Sequence, residues 1–346
     1  MEAEGAFTPS GASWRKLDGE LLAGIPAVGN EALPSDPMIC LPLNKLIIVL
    51  QRQISKLPHV EISYSHKVIG VGQDKERAWV EVETPSGPQE LEAQYIVGCD
   101  GANSQIRRSL FGDWEFPGYT WEQQVVATNT YYPFEKHGFD WDSNFIIHPE
   151  HWYMAARITK DGLWRVTYGE VPGLSFDELK ARQPAKFKAC LPGNPDPNDY
   201  TIVNFSPYKV HQRLAKKMRV GRCLLAADAA HLCNPFGGLG LTGGIVDVGG
   251  LSDCLEGIHS GQAGDSILDV YDTVRRAKYN EVVNPVSTGN IRLLFEQNPE
   301  TALDENEFLK TCKKAEMDPE VGAAQRKAAN ALQYDFRQHY QKRKFP

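Results

Sequence analysis

Residues 221–251, GRCLLAADAAHLCNPFGGLGLTGGIVDVGGL, constrain this chain more than any other stretch. Residues 223–227 are short, apolar and bounded by turn formers, which predicts a buried strand with Asp228 where it emerges. Ala229 and Ala230 keep the turn narrow, and Pro235 stops any helical continuation. Gly237, Gly238, Gly240, Gly243 and Gly244 then leave the backbone bare, so that a flat ligand can approach its N–H groups. A helix is expected from near Gly243, its positive end aimed at the loop. A buried strand–turn–helix with no ligand rarely needs so many glycines directly after an acidic strand end.

A second acidic strand end lies upstream. Residues 60–95 read as a meander of strands, VEISYSHKVIGVGQD, AWVEVETPSG and ELEAQYIVGCD, turning at Gln73-Asp74 and over residues 85–88. The last strand runs into YIVGCDGANSQIRRSL, residues 95–110. Gly101 permits a sharp turn after Asp100, and Asn103 or Ser104 is placed to cap a following helix. An Asp-Gly pair alone usually marks only a turn. The apolar strand before it, the Ser-x-x-Arg spacing after it and the glycine-rich stretch downstream give this one weight.

Together the two stretches resemble the FAD-contacting fingerprints of the single-component flavin monooxygenases, the FAD-dependent aromatic-hydroxylase family. Members usually carry Gly-Asp, then Ala-Ala-His, then Pro-x-Gly-Gly-x-Gly; here these are Ala227-Asp228, Ala229 to His231, and Pro235 to Gly240. Ala227 in place of glycine adds one methyl and leaves the carboxylate, a mild departure. The other fingerprint, D-G-x-x-S-x-x-R, falls on Asp100, Gly101, Ser104 and Arg107. The resemblance spans roughly residues 41–257.

This resemblance implies an α/β (α+β) chain with the FAD/NAD(P)-binding flavoprotein-monooxygenase fold, N-terminally truncated, with an inserted antiparallel substrate sheet and C-terminal helices. It implies FAD held by Asp228, Gly237, Gly238, Gly240, Leu241 and Thr242, with Asp100 and Gly101 near the pyrophosphate. Arg107 would anchor its turn or face NADPH. Hydride from NADPH, addition of dioxygen and a flavin hydroperoxide would then hydroxylate or epoxidise an aromatic, polyketide or terpenoid-like substrate. Pro235 and its neighbours would shield that intermediate from water.

The amino terminus departs from the family pattern. Members open with a strand–helix–strand carrying GxGxxG, and nothing before Pro42 fits it. Gly70 and Gly72 give only GxG, with Lys75 at the third place. Gly238, Gly240 and Gly243 match formally but lie well beyond their strand, so they are read as the flavin-facing loop. Residues 1–37, rich in Gly, Pro, Ala and Ser, read as an excursion and not as the opening of a fold. Two hypotheses result: a monooxygenase, or a truncated, flavin-free remnant acting as a non-catalytic or cofactor-independent protein.

Composition excludes several other classes. At 346 residues, 42% hydrophobic and 23% charged, the chain is long enough for a substantial core and has a soluble, globular composition. Its net charge of −7 argues against a nucleic-acid partner, which needs surplus Lys and Arg. The apolar run over residues 39–50 is broken by Asn44 and Lys45 and predicts no membrane span. Seven cysteines, never in a CxxC pair, indicate reduced thiols in a cytoplasmic protein. No cluster has metal-ligand spacing, and no G-x-S-x-G marks a hydrolase.

The remaining stretches supply the frame. Leu43, Leu46, Ile47, Leu50 and Ile54 have helical spacing. The resemblance puts an FAD-reaching arginine near Leu43, with Lys45 the nearest cation; a solvated helix lysine is its plainer reading. Residues 119–208 alternate β-branched and aromatic runs with turns, which predicts an antiparallel sheet, plus a helix over 175–190 capped by Ser175. Tyr131, Tyr132, His148, His151, Trp152, Tyr153, Arg165 and Tyr168 could line a substrate pocket there, although alternating aromatics in a sheet are more often core. Helices are expected over 266–284 and 320–340, with the final KRKFP a solvated tail. The resulting division is 1–118 and 211–260 for the FAD-binding domain, 119–210 for the substrate sheet and 261–346 for C-terminal helices.

Overall fold

The computed structural model describes residues 1–27 and 38–341. The chain runs through β1 (Gly11–Arg15), β2 (Leu21–Pro26), α1 (Leu43–Ile54), β3 (Lys67–Gln73), β4 (Ala78–Thr84), β5 (Gly87–Ala93), β6 (Ile96–Gly98) and α2 (Gln105–Phe111). It continues through β7 (Gly118–Tyr131), β8 (Ser143–Ile146), β9 (Tyr153–Arg157), β10 (Leu163–Glu170), α3 (Phe176–Cys190) and β11 (Thr201–Leu214). Next come β12 (Arg219–Val220), β13 (Cys223–Leu225), β14 (His231–Leu232), α4 (Leu239–His259), α5 (Ile267–Lys278) and α6 (Asn284–Glu296). The last helices are α7 (Ala302–Glu305), α8 (Glu307–Met317) and α9 (Pro319–Ala328). Two compact units form, one from Met1–Glu61, Trp121–Val210 and Ile291–Ala329, the other from Ile62–Thr120, His211–Asn290 and Asn330–Pro346. Three of the unit boundaries fall inside β7, β11 and α6.

In the first unit the strand order is β11-β7-β10-β9-β8-β1-β2. β7, β10, β9 and β8 pair antiparallel, as the alternating pattern predicts. Alternation puts Val126, Tyr153, Ala155, Trp164, Val166 and Tyr168 on one face, where they pack with Leu179, Phe187 and Cys190 of α3. That helix starts in a capping box: the Ser175 hydroxyl accepts from the Glu178 N–H, and the Glu178 carboxylate accepts from the Ser175 N–H.

The amino-terminal expectation is corrected. Residues 1–37 are not a bare excursion, because β1 and β2 form a hairpin whose first strand joins β8 in parallel. Ser13 donates to Asn144 Oδ1 at 2.9 Å, and buried Trp14 stacks on Phe145 with ring centroids 5.3 Å apart. Residues 28–37 lie outside the described residues. Helix α1 forms where its periodicity predicts, yet none of its residues is buried.

In the second unit β3, β4 and β5 form the expected meander, starting at Lys67 and not at residue 60. The last predicted strand divides, because β6 leaves the meander for a second sheet of order β12-β13-β6. Ile106, Leu224, Leu225, Leu251, Cys254, Leu268 and Tyr271 make up much of the core. Helix α4 begins at Leu239, ahead of the expected Gly243. Helix α5 does not stop near residue 284; it continues through a π turn, Tyr279–Val283, into α6. Residues 320–340 hold α9 and two short 3₁₀ turns, so the long helix expected there is interrupted. The KRKFP tail lies outside the described residues. Among those residues no helix is long and apolar enough to cross a membrane. The mixed α/β (α+β) architecture, with an antiparallel sheet and helices towards the carboxyl terminus, is present.

Candidate active site

Two adjacent parallel strands build the site. Cys223, Leu224 and Leu225 of β13 pair with Ile96, Val97 and Gly98 of β6, so both fingerprint turns leave the same end of the sheet. The carboxyl ends of parallel strands are where such sheets place ligands. Burial of all three β13 side chains fixes the strand, and the Ala226 N–H donates to the Gly98 carbonyl at 3.0 Å. Arg107 then ties one turn to the other. Its Nη1 donates to the Ala229 carbonyl at 2.9 Å and its Nη2 to the Ala102 carbonyl at 2.8 Å, with Phe116 under the guanidinium. Burial pulls its pKa down from the usual value. Of the two roles expected for Arg107, this geometry matches the anchor.

Asp100 and Asp228 meet different fates. Asp100 Oδ1 accepts from the Ser104 hydroxyl at 2.5 Å, and Oδ2 accepts from the N–H groups of Gln105 (2.6 Å) and Ile106 (3.1 Å). Ser104 caps the same helix through the Arg107 N–H at 2.9 Å. Both oxygens of Asp100 are therefore engaged at the start of α2. Gly101 takes φ 79°, a left-handed turn that suits glycine. Asp228 is exposed, and among the described residues its carboxylate accepts no hydrogen bond. Surrounding protein raises its pKa by desolvation, against the pull of His231.

Behind Asp228 lies a buried charge network that sequence reasoning missed. His231 Nε2 and Asp247 Oδ2 are 2.7 Å apart, and Arg275 Nε donates to Asp247 Oδ1 at 2.6 Å. Asp247 Oδ2 also accepts from the Ala227 N–H at 3.0 Å, and Arg275 Nη1 donates to the Leu332 carbonyl at 2.6 Å. Burial alone would raise the Asp247 pKa, but His231 and Arg275 outweigh it and the net shift is downward. One signal was available: an acid within the apolar, glycine-rich run GGIVDVGGL. Nothing near Arg275 marks it as the partner.

Ala227 is a costlier departure than one added methyl suggests. It sits at φ 55°, a left-handed conformation that strains an L-residue by about 1–2 kcal/mol. Its methyl faces Gly244, where an added Cβ would come within 2.7 Å of it. Helix α4 can pass close over Ala227 because position 244 has no side chain.

The loop between them is open. Asn234 caps the short turn Pro235–Gly237 by accepting from the Phe236 N–H at 3.1 Å, and Gly238 at φ 63° then starts α4. No side chain caps α4, so its first N–H groups lack side-chain acceptors. An added Cβ at Gly101, Gly238 or Gly240 would meet nothing within 4 Å. Leu241 and Thr242 are exposed on the first turn, and Pro235 and Gly237 are partly exposed on the loop.

A family model described as an FAD-binding domain matches residues 23–285. The chain belongs to the FAD-dependent aromatic hydroxylases. It is 36% identical over 299 residues to a para-nitrophenol 4-monooxygenase from Pseudomonas sp. (strain WBC-3), covering 86% of this chain and 73% of the relative. It is 41% identical over 259 residues to a 6-hydroxy-3-succinoylpyridine 3-monooxygenase from Pseudomonas putida (strain DSM 28022 / S16), covering 74% of this chain and 64% of that one. The crystal structure of a p-nitrophenol 4-monooxygenase from Pseudomonas putida DLL-E4 superposes with a TM-score of 0.87 at 35% identity, covering 95% of this chain and 82% of the other. The chain is thus an FAD-dependent monooxygenase of the aromatic-hydroxylase family.

The second unit fits the flavin end of FAD. A flat ring system would need bare backbone, which Gly238 and Gly240 offer; a sugar-alcohol chain would need an acceptor, which Asp228 offers; and a delocalised anion would suit the uncapped end of α4. In the hydroxylase's first unit, most aromatics considered for the pocket are core. Tyr132, Trp152, Tyr153 and Tyr168 are buried, whereas Tyr131 and Arg165 are exposed. Tyr131 and Tyr132 border a cleft of about 360 Å³ with Asp161 and Asp199. His148 borders another of about 620 Å³ with Lys16, His137 and Glu300.

Proposed function

We propose that this chain hydroxylates a small aromatic ring that already carries a hydroxyl group, of the phenol or hydroxypyridine class, using NADPH and dioxygen in the cytoplasm. Both Pseudomonas relatives are named for one such ring, and their names as monooxygenases favour the enzyme over a flavin-free remnant. The observation that carries the reading is the open, uncapped start of α4 beside the unbonded carboxylate of Asp228. When bound and reduced, FAD supplies the oxygen-activating chemistry.

The chain's own residues orient and screen. N–H groups from Gly238 to Thr242, with the α4 dipole behind them, hold negative charge in place without reorganisation. Asp228 fixes the ribityl hydroxyls, and Gly237 and Gly238 allow the close approach. Asp100 acts by holding the α2 turn in shape, and Arg107 by locking that turn to Ala229. Pro235 walls off water from the reacting face.

Titrating the purified chain with FAD tests the reading. Quenching of flavin fluorescence and a structured visible band are expected, with NADPH oxidation accelerated by 4-nitrophenol or a hydroxypyridine. A chain that leaves the fluorescence and the visible band shape of added FAD unchanged overturns it.

A further inference from the structure

The loop assigned to the flavin cradle is gripped from behind by one kinked helix. The π turn Tyr279–Val283 joins α5 to α6 and shifts the register of the side chains that follow it. Side chains from the shifted stretch reach β14 and the loop that follows it, directly or through one neighbour. The Tyr279 hydroxyl donates to the Leu232 carbonyl at 2.9 Å. Asn290 Nδ2 donates to the Phe236 carbonyl at 3.2 Å. Ser287 acts through Gln212, at the end of β11: Gln212 Nε2 donates to Ser287 Oγ at 2.7 Å, and its Oε1 accepts from the Asn234 N–H at 3.0 Å. Ser287 in turn donates to the Val283 carbonyl, inside the π turn, at 2.6 Å.

Gln212, Asn234 and Ser287 are all buried, so each polar atom in this chain depends on its neighbour. Packing adds to the grip, since an added Cβ at Gly237 would lie 3.2 Å from the Ser287 Cα. We propose that Gln212, Ser287 and Asn290 form a clamp that positions the Asn234–Gly238 loop for its ligand. They are positioning residues: none is aimed at the open side of the loop, and each acts through the backbone of Asn234 or Phe236. The inference rests on the flavin reading for its purpose and on these contacts for its existence.

The experiment measures both parts on the full chain, with Ser287→Ala and, as a milder single-bond variant, Asn290→Ala. Amide hydrogen exchange without FAD should speed up about tenfold at Phe236 and Gly238 in Ser287→Ala, and less in Asn290→Ala. Exchange along Ile267–Lys278 should keep its wild-type rate. With FAD added, the same variants should bind flavin more weakly and oxidise more NADPH per hydroxylated product, while the KM for aromatic substrate stays constant. Unchanged loop exchange, or acceleration spread evenly over α5, overturns the clamp. Faster loop exchange with unchanged flavin affinity and coupling overturns its positioning role. A wild-type chain that takes up no FAD overturns the flavin reading separately, and the exchange data still decide the clamp.

Discussion

Asp100 and Asp228 end neighbouring parallel strands and look alike in sequence, yet only one keeps its carboxylate free. Asp100 is enclosed by the amides of the helix it starts, whereas Asp228 accepts no hydrogen bond among the described residues. The difference comes from the stretch of chain immediately after each turn. Helix α2 begins at once and takes the carboxylate as its cap. After Asp228 the chain inserts β14 and the Pro235 loop before α4, so that helix starts too late to claim it. An acid at a strand end therefore keeps its carboxylate open when the next helix is delayed.

The freedom of Asp228 depends on Asp247, which holds the turn from behind and gives the largest expected effect. Asp247→Asn should lower unfolding free energy by about 3–5 kcal/mol in urea titration, because it leaves Arg275 buried without its partner. The pH dependence has a defined sign. Asp247 has a lowered pKa in the fold, so its stabilisation is present above the ordinary carboxylate range and is lost as pH falls through the lower folded value. The variant should lack that part of the acid transition.

Asp228→Asn comes next and should separate binding from stability. FAD affinity should fall roughly ten- to hundredfold, the range for a lost hydrogen bond to a charged group. Stability should move the other way. The raised pKa of Asp228 means that the fold is best served by the protonated form, an advantage lost as pH rises through that value. The variant should melt slightly higher at pH 7 and unchanged at pH 3.

Asp100→Ala should cost about 1–2 kcal/mol of stability by uncapping α2, with a smaller loss of FAD affinity than Asp228→Asn. Equal losses of affinity would break the comparison and make Asp100 a direct ligand. The smallest effect belongs to Ala227→Gly. Relief of the left-handed strain should exceed the added chain entropy and raise stability by about 0.5–1 kcal/mol, read from the thermal midpoint.

How much of this was legible in the sequence depends on distance along the chain. Both fingerprint turns, the Ser175 cap and the β3–β5 meander are local patterns; the turns and the cap stand where the residues put them, and the meander does so from Lys67 to Ala93. The β1–β2 hairpin was hidden because its partner strand begins at Ser143 and its own composition is that of a loop. The Asp247–Arg275 and Gln212–Ser287 pairs link residues 28 and 75 positions apart with no motif to announce them. Helix α1 shows the converse, since its periodicity foretold a helix and not that its apolar side would remain exposed. Asp100 was legible as a conspicuous acid, but its engagement as a cap depended on the exact start of α2.

The bond from Arg107 to Ala229 spans 122 positions, and the chain between them builds most of the sheet in the other unit. Closing so long a circuit is entropically slow compared with local pairing. The cradle is therefore expected to be among the last parts of the molecule to assemble.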